Sequence, residues 1–136
     1  IVETNTYLSS VGFESGGLAA AHGIQKGFTF IPALHQQLHG FNVAFCVLAQ
    51  LVLENSLAEL KEVMDFSDSV GLPICFADLG YVDVMPEEVR TAAEKACVPT
   101  STIHNMPFEV TSAMVYEALM AADAYGRAYH AQKKMI

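Results

Sequence analysis

The feature that most constrains this fold is an apolar segment near the middle of the chain, FNVAFCVLAQLVLEN, residues 41 to 55. Its apolar side chains surround nearly the whole helical circumference instead of forming one stripe, and a helix of that kind belongs in the interior of a bundle. The apolar run is far shorter than the roughly 20 residues that span a bilayer. The segment therefore predicts a buried core helix around which the other helices pack.

Amphipathic helices with recognisable ends follow this segment. Ser56 is a candidate N-cap with Glu59 as its capping-box partner, and Gly71 offers a left-handed C-terminal cap. Further helices are predicted to begin at Pro86 and at Thr111. The apolar stripe predicted for the helix after Ser56 consists of Leu57, Leu60, Val63, Met64 and either Phe66 or Val70. Few segments alternate like strands, so we predict one all-α domain, a helical bundle of six or seven helices.

Charge and cysteine usage exclude several classes of partner. The net charge is −8 with only 7 Lys and Arg in 136 residues, which argues against nucleic-acid and anionic-membrane binding. Cys46, Cys75 and Cys97 are odd in number and lie in apolar surroundings, a pattern typical of buried free thiols in a reducing compartment. No secretory signal is visible at the first residues. We therefore expect a cytoplasmic protein.

Three histidines lie in the stretch FESGGLAAAHGIQKGFTFIPALHQQLHG, residues 13 to 40. His22 falls in a helix predicted from the small residues of SGGLAAAHGIQKGF, and Gly16, Gly17 and Gly23 allow that helix to approach a neighbour closely. His22 and His39 can converge as metal ligands, but a catalytic zinc takes three protein ligands. Glu14 would lie about 12 Å from His22 along a continuous helix, too far for a third. From spacing alone, a core histidine bonded to a backbone carbonyl fits His22 better.

The remaining candidates have plainer interpretations. His35 and His39 are spaced as in an HExxH zinc helix, but Gln36 stands where the general base would be, so His35 is predicted to be a solvent-facing loop residue. His104 and Asn105 precede the last helix, where capping and a pocket contact both remain open. Three aromatic residues that flank the first histidine helix are expected in the core or at a domain interface: Phe13, Phe28 and Phe30.

Several segments together resemble a known family. GFESGGLAAAHGI, HGFNVAFCVLAQLVLEN, SVGLPI and TIHNMP are similar to the C-terminal helical domain of bacterial glycerol dehydrogenases, which are iron-containing (group III) alcohol dehydrogenases with a dehydroquinate synthase-like fold of two domains. The similarity runs in order from about residue 4 to residue 131. The resemblance implies that residues 1–136 form the C-terminal helical, metal-binding domain. It also implies that the N-terminal NAD-binding domain is absent from this chain.

The resemblance also implies a site. In the family, two histidines of the helical domain and an Asp upstream bind a catalytic divalent metal, and by motif these histidines are His22 and His39. The implied cofactors are Zn²⁺ or Fe²⁺ and NAD, and the implied reaction oxidises glycerol or a similar small polyol by hydride transfer. Phe13 matches an aromatic residue near the substrate, so the implied substrate-binding residues are Phe13, His22 and His39. The complete protein is expected to form a homo-oligomer, and the isolated chain is expected to be inactive.

The chain departs from the family beside His39. Where the family usually has HGEKVAFG, this chain has HGFNVAFC, so Phe41 and Asn42 replace a charged pair and Cys46 replaces a glycine. This change alters the polarity next to a predicted ligand, so substrate preference and pocket hydration are open. Two other functions also remain open. One is a dehydrogenase for another diol or alcohol, and the other is a non-catalytic, truncated helical domain. If a second domain docks on the chain, we expect an exposed apolar patch at the docking surface.

Overall fold

The computed structural model describes the backbone of residues 1–15 and 17–136, and the side chains of these residues except 13–15. The described residues contain seven α-helices and no β-strand, which confirms the all-α prediction. The α-helices are α1 (Ser9–Ser15), α2 (Ala20–Phe28), α3 (Pro32–His35), α4 (His39–Leu53), α5 (Leu57–Ser69), α6 (Pro86–Ala96) and α7 (Ser112–Lys134). A π-helical segment, Thr4–Leu8, precedes α1, and 3₁₀ turns occur at Ala77–Leu79 and Thr102–Asn105. None of these helices is long and apolar enough to cross a membrane.

The core is built around α4, as its apolar circumference predicts. This helix packs against α2, α5 and α7, while α6 packs against α2 and α7. Phe28, Phe45 and Phe76 are fully buried, and the rings of Phe45 and Phe76 lie 4.8 Å apart between centroids. Burial of each such side chain contributes about 1.5–3 kcal/mol. The aromatic cluster thus joins α2, α4 and the loop after α5, whereas Phe30 is 54% exposed.

Most predicted helix ends are confirmed by the backbone. Thr111 precedes α7, and its hydroxyl accepts the N–H of Met114 at 3.3 Å. Pro86 is the first residue of α6, and Gly71, with φ +76°, adopts the left-handed conformation after α5. The prediction of a capping box at Ser56 is wrong. Ser56 lies directly before α5, but its side chain makes no capping hydrogen bond. Its ψ of 64° departs from the extended geometry that aims an N-cap oxygen at the helix.

The apolar stripe predicted for α5 is only partly buried. Leu60 and Met64 face the core with 2% and 5% exposure. Leu57, Phe66 and Val70 are 48%, 61% and 55% exposed. Because α5 packs mainly against the single helix α4, its buried face is narrower than its apolar pattern suggests.

The first histidine helix begins later than predicted. Gly17, with φ +66°, lies in the left-handed region, and α2 starts only at Ala20. The predicted close approach is confirmed at Gly23, where a Cβ atom would lie 3.0 Å from the Cβ of Ile103 and 3.1 Å from its backbone nitrogen. Small residues therefore let α2 contact the turn before α7.

The three cysteines are free thiols. Cys46 and Cys75 are buried, as predicted, and Cys97 is partly exposed. No disulfide therefore stabilises the described fold.

Candidate metal site

His22 and His39 lie side by side although a loop and α3 separate them in the sequence. Their ring centroids are 5.6 Å apart, and the ring planes are inclined by 49°. His22 lies on α2 and His39 is the first residue of α4, and these two helices pack against each other. Helix packing therefore brings together the two residues that the sequence motifs pair.

The position of His22 is fixed by the neighbouring turn of α2. The N-cap residue Ala19 has no side chain that can cap the helix, so the first N–H groups of α2 need partners from elsewhere. Gln50 on α4 provides one, because its Oε1 accepts the N–H of Ala21 at 2.9 Å. The bond ties the start of α2 to α4 at the residue next to His22.

The TIHN turn holds the chain just before α2. Thr102 donates its hydroxyl to the carbonyl of Ala19 at 3.0 Å, and Asn105 donates its amide to the carbonyl of Leu18 at 2.7 Å. His104 is exposed, with Nε2 3.1 Å from a backbone carbonyl of the preceding loop. From the sequence, a cap and a pocket contact both remained open for His104 and Asn105. Asn105 instead anchors the segment that leads into α2, the helix of His22.

The environment of His22 favours the neutral imidazole. The side chain is partly buried, and burial is the main cause that lowers its pKa below the usual value. The nearby cationic forms of His39 and Lys26 lower the pKa further. Metals bind the neutral ring, so two adjacent imidazoles, one of them biased against protonation, fit a divalent zinc or ferrous ion.

The described residues supply no third ligand to this pair. Where three potential ligand atoms from His, Cys, Asp or Glu lie together in the described part of the chain, neither His22 nor His39 is among them. Glu14 and the predicted substrate residue Phe13 lie outside the residues whose side chains are described. The pair thus offers two nitrogen ligands, and any further ligand has to come from other groups.

His35 does not join the pair through an HExxH-type helix. It is exposed, as predicted, but it is the last residue of the short helix α3 and not part of a loop. Leu38, with ψ 133°, separates α3 from α4, so His35 and His39 do not share one continuous helix. The i,i+4 spacing therefore has no structural counterpart.

The Phe41–Asn42 departure has a packing consequence. Asn42 is 3% exposed and donates its amide to the carbonyl of Leu34 at 2.9 Å, while its Oδ1 has no hydrogen-bond partner. Phe41 is partly buried against the core. Instead of presenting a second polar group beside His39, Asn42 ties the first turns of α4 to α3.

A second group of possible ligands was not predicted from the sequence: Cys75, Asp78 and His130. Cys75 and Asp78 lie in the loop between α5 and α6, whereas His130 lies on α7. The spacing CFAD matches no metal motif, and no periodicity connects it to a distant histidine. Only the tertiary fold brings the three together.

Comparisons with known proteins agree with the resemblance that the sequence motifs show. No family model matches the chain. It is 54% identical over 128 residues to glycerol dehydrogenase of Pseudomonas putida, covering 93% of this chain and 35% of that protein. The crystal structure of glycerol dehydrogenase from Schizosaccharomyces pombe matches with a TM-score of 0.90 and 35% identity, over 99% of this chain and 35% of that one. The chain is a homologue of the glycerol dehydrogenases.

The homology covers only part of each relative. The chain spans about a third of the length of the relatives it matches and corresponds to their C-terminal, helical part. It is also 44% identical over 128 residues to glycolaldehyde reductase of Halobacterium salinarum, covering 93% of this chain and 35% of that protein. Homologues of this chain thus carry the names of two oxidoreductase activities on small hydroxylated compounds.

Proposed function

We propose that the chain is the helical, metal-binding part of an NAD-dependent polyol dehydrogenase that oxidises glycerol to dihydroxyacetone. The observation that carries this proposal is the adjacency of His22 and His39, with ring centroids 5.6 Å apart, in a homologue of the glycerol dehydrogenases. The chemistry of the pair supports it, because the lowered pKa of His22, caused mainly by burial, keeps a ring nitrogen free to bind a metal.

In this proposal His22 and His39 hold a divalent metal, zinc or ferrous iron, with an Asp from outside this chain as third protein ligand. When bound, such a metal acts as a Lewis acid that lowers the pKa of a substrate alcohol and so favours hydride transfer to NAD. Gln50 keeps His22 in position by bonding the first turn of α2. Phe13, just ahead of α2, is assigned to the wall that orients the carbon skeleton and excludes water.

The proposal includes an N-terminal NAD-binding domain as partner. The chain covers only 35% of its relatives' length, and NAD is expected to bind mainly to the remainder. Large apolar side chains of the first helical segment are 46–97% exposed and would be covered by such a domain: Ile1, Val2, Tyr7, Leu8 and Val11. Without it, we expect no dehydrogenase activity. The complete protein is expected to form a homo-oligomer.

The test compares His22→Ala and His39→Ala with His35→Ala in the complete protein, N-terminal domain included. Removal of either ligand is expected to release the metal and to lower kcat/KM for glycerol by at least about 100-fold. His35→Ala is the matched control, because it removes an exposed imidazole four positions from His39. Full metal content and full activity in His22→Ala would show that the ligand assignment is wrong.

A second candidate function is the reduction of a small hydroxyaldehyde or the oxidation of another diol. It is favoured by the 44% identity to a glycolaldehyde reductase. A panel of glycerol, vicinal diols, simple alcohols and glycolaldehyde distinguishes the candidates by kcat/KM. A complete protein that binds neither zinc nor iron and is inactive on the whole panel would favour the non-catalytic alternative.

A further inference from the structure

Cys75, Asp78 and His130 form a cluster of three different ligand types. The Cys75 Sγ, one carboxylate oxygen of Asp78 and one ring nitrogen of His130 all lie within 4.8 Å of one another. Cys75 is 2% exposed, whereas the side chains of Asp78 and His130 are each 31% exposed. The cluster is therefore closed on the thiol side and reachable from solvent on the other.

Backbone and side-chain bonds position Asp78 within the cluster. Its Oδ2 accepts the N–H groups of Ile74 and Cys75 at 3.0 and 3.2 Å. The Nε2 of His130 lies 3.0 Å from Oδ2 and 3.2 Å from Oδ1. Burial alone would raise the pKa of Asp78, but the bonds from His130 and Ile74 outweigh it and hold that pKa below its usual value. The carboxylate is thus ionised and oriented toward the imidazole.

A glycine on α7 allows the histidine to reach this loop. Gly126 lies one turn before His130, and a Cβ atom there would overlap the carbonyl of Ile74 and lie 3.0 Å from the Cβ of Cys75. Any larger residue would push α7 away from the loop. Gly126 therefore permits the close approach of α7 to the loop that carries Cys75.

The distances fit tetrahedral coordination after a small rearrangement. Zinc bonds of about 2.0–2.3 Å to N, O and S place neighbouring ligand atoms roughly 3.4–3.6 Å apart. The nitrogen and oxygen atoms of His130 and Asp78 are 3.0–3.2 Å apart, so these two atoms separate slightly and the thiol moves inward. A surface cavity of about 540 Å³, lined by all three residues, leaves the fourth position open to water.

Two cations line the same cavity, Arg127 and Lys134. The charge of Arg127 is offset, because its Nε lies 2.9 Å from Oδ2 of Asp123. Lys134 is exposed at the last residue of α7.

Burial raises the pKa of the Cys75 thiol to about 11, so the free thiol is protonated and releases one proton to solvent when its sulfur binds a metal. The thiolate, the carboxylate and a divalent cation then sum to zero charge.

We propose that Cys75, Asp78 and His130 form a second metal site, for zinc or another divalent cation that accepts a thiolate ligand. A mixed thiolate, imidazole and carboxylate set with one open position suits zinc better than magnesium or calcium. The ion would cross-link the loop before α6 to α7 and stabilise the fold in proportion to its occupancy. This site is independent of the function proposed for His22 and His39.

The test uses Co²⁺ as a probe in the protein and in its His22→Ala/His39→Ala double variant. A cobalt ion held by Cys75 gives a near-ultraviolet thiolate-to-cobalt charge-transfer band, which two imidazoles do not produce. We expect the band in both proteins, one bound ion in the double variant by equilibrium dialysis, and displacement of the band by Zn²⁺. Loss of metal from the histidine pair and loss of the second site are thereby separate outcomes.

Three further substitutions, each made in the double variant, decide the assignment. Cys75→Ala is expected to abolish the band and His130→Ala to weaken Co²⁺ binding by at least about 100-fold. Because His130 is partly exposed, its variant keeps the test valid if Cys75→Ala fails to fold. Cys97→Ala, the matched control, is expected to leave band and affinity unchanged. No band before substitution, or a band that survives Cys75→Ala, would overturn the proposal.

Discussion

Gly27 is the position where a single methyl group should disturb the packing of α2, the helix that carries His22, against α6. A Cβ atom added at Gly27 would overlap the carbonyl oxygen of Ala92 and lie 3.0 Å from its carbonyl carbon. The obstacle is the backbone of α6, which cannot move aside as a flexible side chain does. Gly27→Ala therefore has to separate α2 from α6 or distort one of them.

The magnitude follows from two opposing terms. Alanine is favoured over glycine inside a helix by about 0.5–1 kcal/mol. Overpacking a buried contact costs about 1–3 kcal/mol, and more where the backbone is the obstacle. Because the obstacle here is backbone, the cost lies at the upper end of that range or above it, and we expect a net loss of about 1–3 kcal/mol in the free energy of unfolding. For a domain of this size the loss lowers Tm by about 4–12 °C.

Gly40 on α4 provides the matched control. The same substitution there meets nothing within 4 Å, so Gly40→Ala is expected to leave stability unchanged or raise it by up to about 1 kcal/mol. Thermal and urea unfolding, followed by circular dichroism, measure both variants against the wild type. A Gly27→Ala protein as stable as Gly40→Ala would show that α6 yields without cost and would refute this account of α2 packing.

Three further predictions concern polar contacts of the fold. Tyr81→Phe is expected to cost about 1–3 kcal/mol in the free energy of unfolding at neutral pH. Burial and a bond to Glu88 raise the pKa of Tyr81 to about 12. In alkaline unfolding curves, the stability advantage of the wild type should therefore persist below a pH of about 10 and disappear as the pH rises through 12. Asp123→Ala leaves the buried Phe76 N–H without its 2.9 Å acceptor and should cost about 1–3 kcal/mol. Thr111→Ala removes the N-cap of α7 and should cost about 1 kcal/mol in urea unfolding; an unchanged midpoint would contradict the cap.

The helices were predictable because their signals are local. The apolar circumference of residues 41–55 predicted the central helix, and the hydroxyl of Thr111 predicted the start of α7, where it accepts the Met114 N–H. Ser56 carries the same local signal, yet its side chain makes no capping bond. A cap also requires a backbone geometry that the residue type alone does not determine.

Burial was less predictable than helix position. Phe66 fits the apolar period of α5 but is 61% exposed, whereas the polar Asn42 is 3% exposed. Both results depend on which helices pack against the residue, and a periodic pattern does not contain that information. The amide bond from Asn42 to the carbonyl of Leu34 shows how one tertiary contact makes a polar residue acceptable in the core.

The two candidate sites also differ in how far they were predictable from the sequence. His22 and His39 were paired by motif, and the packing of α2 against α4 places their rings 5.6 Å apart. Cys75, Asp78 and His130 were not grouped, because a separation of 52 residues between Asp78 and His130 is closed only by the tertiary fold. Sequence motifs predict candidate ligands where a family pattern is known, whereas a cluster without a motif is visible only in the structure.

In the proposed function, His22 and His39 hold the same metal ion. Anomalous diffraction at the zinc absorption edge, from crystals of the complete protein grown with zinc, locates that ion. We expect an anomalous peak about 2.0–2.1 Å from a ring nitrogen of each histidine. A peak bound to only one of them, or none at either ring while zinc occupies other residues, would contradict it.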